Sequence, residues 1–253
     1  MTALLPFVIG LVALLYASVG HAGATGYIAV MTLCGLAPGV IRPTALLLNV
    51  IVATIATVQF FRAGHFRSGI FWPLAAASVP CAALGGAIDL PTGAFEVLVG
   101  GVLLLSALQI VRAAVNRQEA GPVEGDATAQ DPRPLGRIVL ATLGGAIGLL
   151  SGLTGVGGGV FLTPALLALR AAPVKQIAAI TAPFILVNSL AGLVGGLSAG
   201  RPLPPVSLPV VAAAVLGGAI GSQLGAFRLP VRTLRLLMAA VLAFASVKLL
   251  GML

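Results

Sequence analysis

The sequence predicts an all-α polytopic membrane protein made of two inverted repeats of about five segments each, every repeat opening with a glycine-broken or re-entrant helix pair. Three observations carry this. Of 253 residues, 59% are hydrophobic and 8% charged, and the mean hydropathy is +1.13, a balance foreign to soluble domains of this size. Apolar runs recur at lengths near the roughly 20 residues that cross about 30 Å of hydrocarbon. Two glycine clusters, Gly20-His21-Ala22-Gly23-Ala24-Thr25-Gly26 and Gly155-Val156-Gly157-Gly158-Gly159, interrupt these runs at matching places in the two halves.

The runs fall at about 3–20, 24–37, 43–62, 70–88, 94–112, 136–153, 159–170, 175–198, 205–226 and 232–252. The first lacks a basic leader and stays apolar past any cleavage point, so it reads as a retained helix and not a signal peptide. Runs 24–37 and 159–170 are too short to span. Each follows a glycine cluster, and glycine permits non-helical backbone at membrane depth where amides face protein, water or a ligand. Residues 114–135 hold Arg117, Glu119, Glu124, Asp126, Asp131 and Arg133 with three prolines, and read as a polar linker. The expected organisation is a first transmembrane repeat over 1–113, the linker, and a second repeat over 136–253.

With the linker inside and each broken pair returning to its starting side, the inner loops collect Arg62, Arg67, Arg112, Arg117, Arg133, Arg137, Arg170, Lys175, Arg228, Arg232 and Arg235. Arg42, Arg201 and Lys248 remain outside. This positive-inside bias predicts periplasmic termini and a cytoplasmic linker in a bacterial inner membrane. The net charge of +8 is then mainly a topology signal toward anionic lipid, not a nucleic-acid signal. The halves align with Pro38 matching Pro173, Gly85 near Gly221, Leu90-Pro91 on Leu229-Pro230, and the last helices from Leu98 and Leu237. An odd number of net crossings per half makes the repeats inverted, which brings their discontinuous helices together at the midplane.

The six acidic residues argue the cargo. Four lie in the linker, and Asp89 and Glu96 flank the turn at Pro91. Cation carriers and ordinary proton-coupled carriers need an intramembrane carboxylate, so an anion is favoured. Its donors would be backbone amides of the helices that start after Gly23 and Gly157, near Gly20, Gly155, Gly158 and Gly159, where a helix N-terminus contributes about 0.3–2 kcal/mol. Neutral donors nearby are Ser18, Thr25, Ser151 and Thr154, with Thr44, Asn49, Thr181 and Asn188 on the helices that follow. The bland alternative for each is a bond to its own helix backbone. His21, the titratable group inside a break, either donates to the anion or carries a proton, or is a neutral structural histidine; His65 belongs to a solvated loop. Gly100-Gly101, Gly144-Gly145, Gly195-Gly196 and Gly217-Gly218 read as packing glycines. The second cluster fits neither a dinucleotide fingerprint nor a P-loop, and Cys34 and Cys81 read as inert thiols.

Ser151-Gly152-Leu153-Thr154-Gly155-Val156-Gly157-Gly158-Gly159, continuing to Pro164, resembles the signature of the TauE/SafE family of membrane permeases, and Val19-Gly20-His21-Ala22-Gly23-Ala24-Thr25-Gly26-Tyr27 resembles its weaker first-half version. The resemblance covers essentially the whole chain. It implies transport of a small sulfur oxyanion, sulfite or an organosulfonate such as sulfoacetate, with the glycine breaks as the site. An inside-negative potential favours exit of each negative charge by about 2.3 kcal/mol per 100 mV, which agrees with export. A passive anion channel and proton-coupled sulfonate uptake are the alternatives. A membrane enzyme is disfavoured because the chain has only two histidines, His21 and His65, and no intramembrane Asp or Glu for acid-base work. The expected partners are the bilayer and the anion, without cofactor, metal or nucleic acid; a homo-oligomer stays open.

Overall fold

The computed structural model describes residues 4–18, 20–62, 64, 66–115 and 135–227. The last apolar run, nearly all of the linker with its charges, His65, and the basic residues from Arg228 onward lie outside the described residues. Those described form helices with no strand: α1 (Leu5–Ala17), α2 (Ala24–Leu33), α3 (Pro38–Arg62), α4 (Ser68–Ala87), α5 (Thr92–Val115), α6 (Arg137–Thr154), α7 (Gly159–Ala168), α8 (Val174–Ser198) and α9 (Leu208–Phe227). Each run that can be compared therefore becomes one helix. Five are long and apolar enough to cross a membrane: α3, α4, the Thr92–Gln109 part of α5, α6 and the Gln176–Ser198 part of α8. At 10 residues each, α2 and α7 reach only about 15 Å.

Two boundaries differ from the sequence reading for physical reasons. Helix α3 starts five residues earlier than its apolar run because proline suits a first turn and because Arg42, buried at 7% exposure, is satisfied inside the protein. Its guanidinium donates to the carbonyl oxygens of Ile88 (3.1 Å), Gly85 and Gly86 (2.9 Å) at the C-terminal end of α4. Helix α2 stops at Leu33 because Gly35 turns the chain with φ 76°.

Close contacts through small residues assemble the bundle. A methyl on Gly144, Gly148 or Gly152 would strike the carbonyl oxygens of Leu74, Ser78 and Ala82 in turn, so α6 and α4 lie against each other in parallel. In the same way Gly217 and Gly221 meet the carbonyls of Gly10 and Leu14, which packs α9 parallel to α1. Gly195 meets Ala83 and Gly86 meets Gly192 where α8 crosses α4. These spacings bring backbones together as small residues do between membrane helices. Gly101 departs from its expected packing role: a methyl there meets nothing within 4 Å among the described residues.

The contacts also settle the path of the broken pairs. Helices α4 and α8 finish at the end of the molecule where Arg42 opens α3, because Arg201, just past α8, donates to the Gly86 and Ala87 carbonyls beside Arg42. Helix α9 leaves from that end, and α1 runs parallel to it. So α1 and α3 begin on the same side, and the α1–α2 pair turns back within the bundle. At the opposite end, marked by Phe60 and Ala178, which both approach Gly20, α4, α6 and α8 begin, and α6–α7 turns back likewise.

The centre of this arrangement is α8, with 72% of its best apolar window buried against 39–44% for the other spanning candidates. One apolar core gathers α1, α2, α3 and α5, with Ile185 of α8, and another gathers α4, α6, α7 and α8. Outward-facing Phe7, Trp72, Leu84, Val194 and Leu216 remain exposed at 61–73%, a belt suited to lipid.

Gly152→Ala is expected to lower the melting temperature of the detergent-purified protein, since overpacking costs about 1–3 kcal/mol. Gly101→Ala should leave it unchanged or raise it. Equal melting of the two variants would remove the close α4–α6 contact as a stabilising feature.

Candidate functional site

Each glycine cluster folds as a left-handed turn that ends one helix and starts another. At the first, Gly20 has φ 79° and Gly23 φ 102°; at the second, Gly155, Gly157 and Gly158 have φ 80°, 80° and 83°. Side chains rarely adopt these angles. Gly23 and Gly158 are the N-caps of α2 and α7, and neither helix receives a side-chain cap. Apart from the Phe161 amide, which donates back to the Gly158 carbonyl at 3.1 Å, their first-turn amides have no acceptor one turn earlier and carry the positive end of each helix dipole.

The two turns meet. A small pocket of about 10 Å³ is lined by Tyr16, His21, Gly23 and Thr25 from the first break, Val156 and Gly159 from the second, and Asn49 from α3. That is room for one water, too small for any larger solute in this conformation. Asn49, fully buried, donates from Nδ2 to the Val156 carbonyl at 3.2 Å and contacts Ser189 Oγ at 3.4 Å. It ties the second break to α3 and α8. A methyl on Gly157 would run into Asn49 Nδ2, with Ile185 and Ser189 Oγ each at 3.0 Å, and one on Gly159 would run into Ile185.

His21 crosses from the first break to the second half: its Nε2 lies 3.3 Å from Thr163 Oγ1 on α7, which lies 3.2 Å from Thr181 Oγ1 on α8. Thr181 also donates to the Ile177 carbonyl of its own helix at 2.8 Å. Thr25 donates to Tyr16 Oη at 2.9 Å. Thus His21, Gly23, Thr25, Asn49, Gly157, Gly159 and Thr181 gather around one centre.

Other expected residues do local work. Thr154 donates to the Leu150 carbonyl and caps the Val156 amide. Ser18 donates to Leu15, and Asn188 donates to Phe184, each within its own helix. Thr44 is buried on α3 but does not line the cavity. Gly20 sits beside Ala178 and Phe60, and Gly155 beside Arg42, at the two flanks of the centre.

Among the described residues three buried hydroxyls have no hydrogen-bond partner: Thr57 Oγ1 on α3 and, at the two breaks, Tyr27 Oη and Ser151 Oγ. The positions of the last two match. A methyl on Gly23 would lie 2.9 Å from Tyr27 Oη, and one on Gly158 would lie 3.5 Å from Ser151 Cβ, so each hydroxyl stands beside the N-cap of one broken helix. Leaving such a group unpaired costs about 1–3 kcal/mol. The Oδ1 atoms of Asn49 and Asn188 are likewise buried without partners. Sequence reasoning passed over Tyr16, Tyr27, Thr163 and Ser189 because an aromatic or hydroxyl residue in an apolar run has no motif of its own. Arg42 carried a stronger signal, a charge inside a membrane-length helix, but it was weighed only as a loop charge. Among the described residues no group of three or more His, Cys, Asp or Glu could hold a metal. Cys34 and Cys81 are free thiols, and Cys81 packs beside Gly145.

Comparison with known proteins agrees with this architecture. The family model described as sulfite exporter TauE/SafE matches residues 5–249. The "Probable membrane transporter protein y4hK" of Sinorhizobium fredii (strain NBRC 101917 / NGR234) is 41% identical over 193 residues, covering 76% of this chain and 75% of that protein. No solved structure is detectably similar. A glycine-broken helical bundle, a family match over nearly the whole length and this relative together make the chain a multi-pass membrane transporter that belongs to the TauE/SafE family.

Proposed function

We propose that this transporter moves a small sulfur oxyanion, sulfite or an organosulfonate such as sulfoacetate, outward across the bacterial inner membrane. The anion is held where the two glycine breaks meet, by first-turn amides of α2 and α7 together with Tyr27, Ser151, Asn49 and the His21–Thr163–Thr181 cluster. The observation that carries the reading is the pair of unpartnered hydroxyls, one beside each N-cap. Helix N-termini, hydroxyl donors and the lack of any lining carboxylate suit an anion and not a cation. Individually weak donors favour binding that is also released.

Alternating access follows from an inverted repeat, with repeats over 1–113 and 136–253. Matched contacts support it: Gly85 meets the Leu149 carbonyl as Gly221 meets that of Leu14, and Gly145 faces Ala77 as Gly10 faces Ala213. Helices α2 and α7, α3 and α8, and α4 and α9 also match in length at 10, 25 and 20 residues. Opening then means rocking one repeat against the other around the breaks. Arg62, Arg67, Arg137, Arg170 and Lys175 fall at the Phe60 end, which supports a cytoplasmic face there and at the linker.

Radiolabelled sulfite should enter or leave proteoliposomes of the purified protein saturably, driven by a clamped potential and competed by sulfoacetate. Linear flux without trans-stimulation would mean a channel, and no flux of any sulfur anion would overturn the cargo. Tyr27→Phe and Ser151→Ala should each cut that flux by roughly ten- to a hundredfold, as loss of a hydrogen bond to a charged ligand of about 1.5–3 kcal/mol implies, while melting stays equal or rises. Unchanged flux would return both hydroxyls to packing. A cysteine placed in the 114–135 linker should resist an impermeant thiol reagent added from the periplasmic side; labelling would reverse the orientation.

A further inference from the structure

A second cavity, of about 90 Å³, opens at the Arg42 end of the molecule, away from the central site. Arg42, Arg201 and Asp89 line it among Leu46, Leu90 and Phe95. One water position needs about 10–15 Å³, so the cavity takes a molecule of a few non-hydrogen atoms. It shares a helix with the centre: Arg42 and Asn49 are seven residues apart on α3, two turns or about 10 Å.

The two guanidinium groups share one acceptor, each donating to the Gly86 carbonyl at 2.9 Å. Arg42 uses three donors on α4 carbonyls and Arg201 uses two, from five N–H groups apiece. Both keep donors in reserve. The carboxylate nearest Arg201 is Asp89, at 3.8 Å from Nη1 and with its side chain 93% exposed, too far for a hydrogen bond. Opposite two full positive charges stand this solvated carboxylate and about half a negative charge from the end of α4. Positive charge is left over in a cavity with apolar walls, and Arg42 is nine-tenths buried there.

We propose that this cavity is a separate anion site, a vestibule in which a small oxyanion or sulfonate head takes the unused donors of Arg42 and Arg201 in place of Asp89. Planar guanidinium forks match oxyanions with paired, charge-assisted bonds. Asp89 then acts as a tethered competitor: it holds Arg201 loosely when the site is free and gives way to the anion. The site needs no movement at the glycine breaks to fill.

Arginine-selective modification by phenylglyoxal, mapped by mass spectrometry on the purified full chain, tests this without any flux. Methanesulfonate, a sulfonate inert toward the reagent, is expected to slow modification of Arg201 several-fold while leaving exposed Arg170 unchanged. Asp89→Asn should lower the half-protecting methanesulfonate concentration by about threefold, the size of a partly exposed ion pair removed from competition. Equal protection of Arg170, equal protection by chloride at matched ionic strength, or an unaltered or higher half-protecting concentration in Asp89→Asn would overturn the proposal. Because the readout is confined to this cavity, its failure leaves the central site untouched, and absent flux in proteoliposomes leaves the vestibule standing.

Discussion

Lipid offers no hydrogen bonds, and the rest of the structure follows from that constraint. A chain that breaks its helices inside a membrane must surround every freed amide with protein. Here α3 and α8, the two 25-residue helices, wall the breaks, and α1 and α6 close in through backbone contacts that leave no space for a methyl at Gly152 or Gly217. The glycines of the turns and those of the helix faces thus serve one end by different means. The first group lets the backbone turn; the second lets neighbouring helices come close enough to hide the turn.

Most of the scaffold was legible because hydropathy reports what each segment is solvated by. The run boundaries 136–153 and 175–198 lie within one residue of α6 and α8, and both short runs became the half-helices after the breaks. Reading failed where a residue's role depends on a distant partner. Nothing in the order of residues says that Arg42 will find the last carbonyls of α4, 43 to 46 positions away, so its helix looked shorter than it is. Nor does it say that Asn49 will tie down Val156, 107 positions on, while Asn188, an equally reasonable candidate, turns back to its own helix. At the breaks the glycine turns and the neighbouring Ser151 stood out in the sequence while Tyr27 did not, because left-handed turns have a residue signature and a hydroxyl inside an apolar run has only surroundings.

As proposed anion sites, the central cavity and the vestibule would use different chemistry. At the breaks the positive potential comes from peptide dipoles and neutral donors, which cannot be lost by titration and bind weakly one at a time. At the Arg42 end two fixed cations are partly neutralised by helix carbonyls and by Asp89. A solute passing between them would leave stronger, screened charges for weaker, buried dipoles. That ordering avoids a deep well in the middle of the path.

Arg42 stands beside Gly155, whereas among the described residues the nearest neighbours of Gly20 are the uncharged Ala178 and Phe60. For a carrier whose halves trade places, the two open states would then present unlike surfaces, with different affinities and different rates of filling. Microscopic reversibility forbids such lopsidedness from driving net movement in an uncoupled cycle. It can only make the protein rectify kinetically, fast from one face at low concentration and slow from the other, while the sign of the flow stays with voltage and gradient.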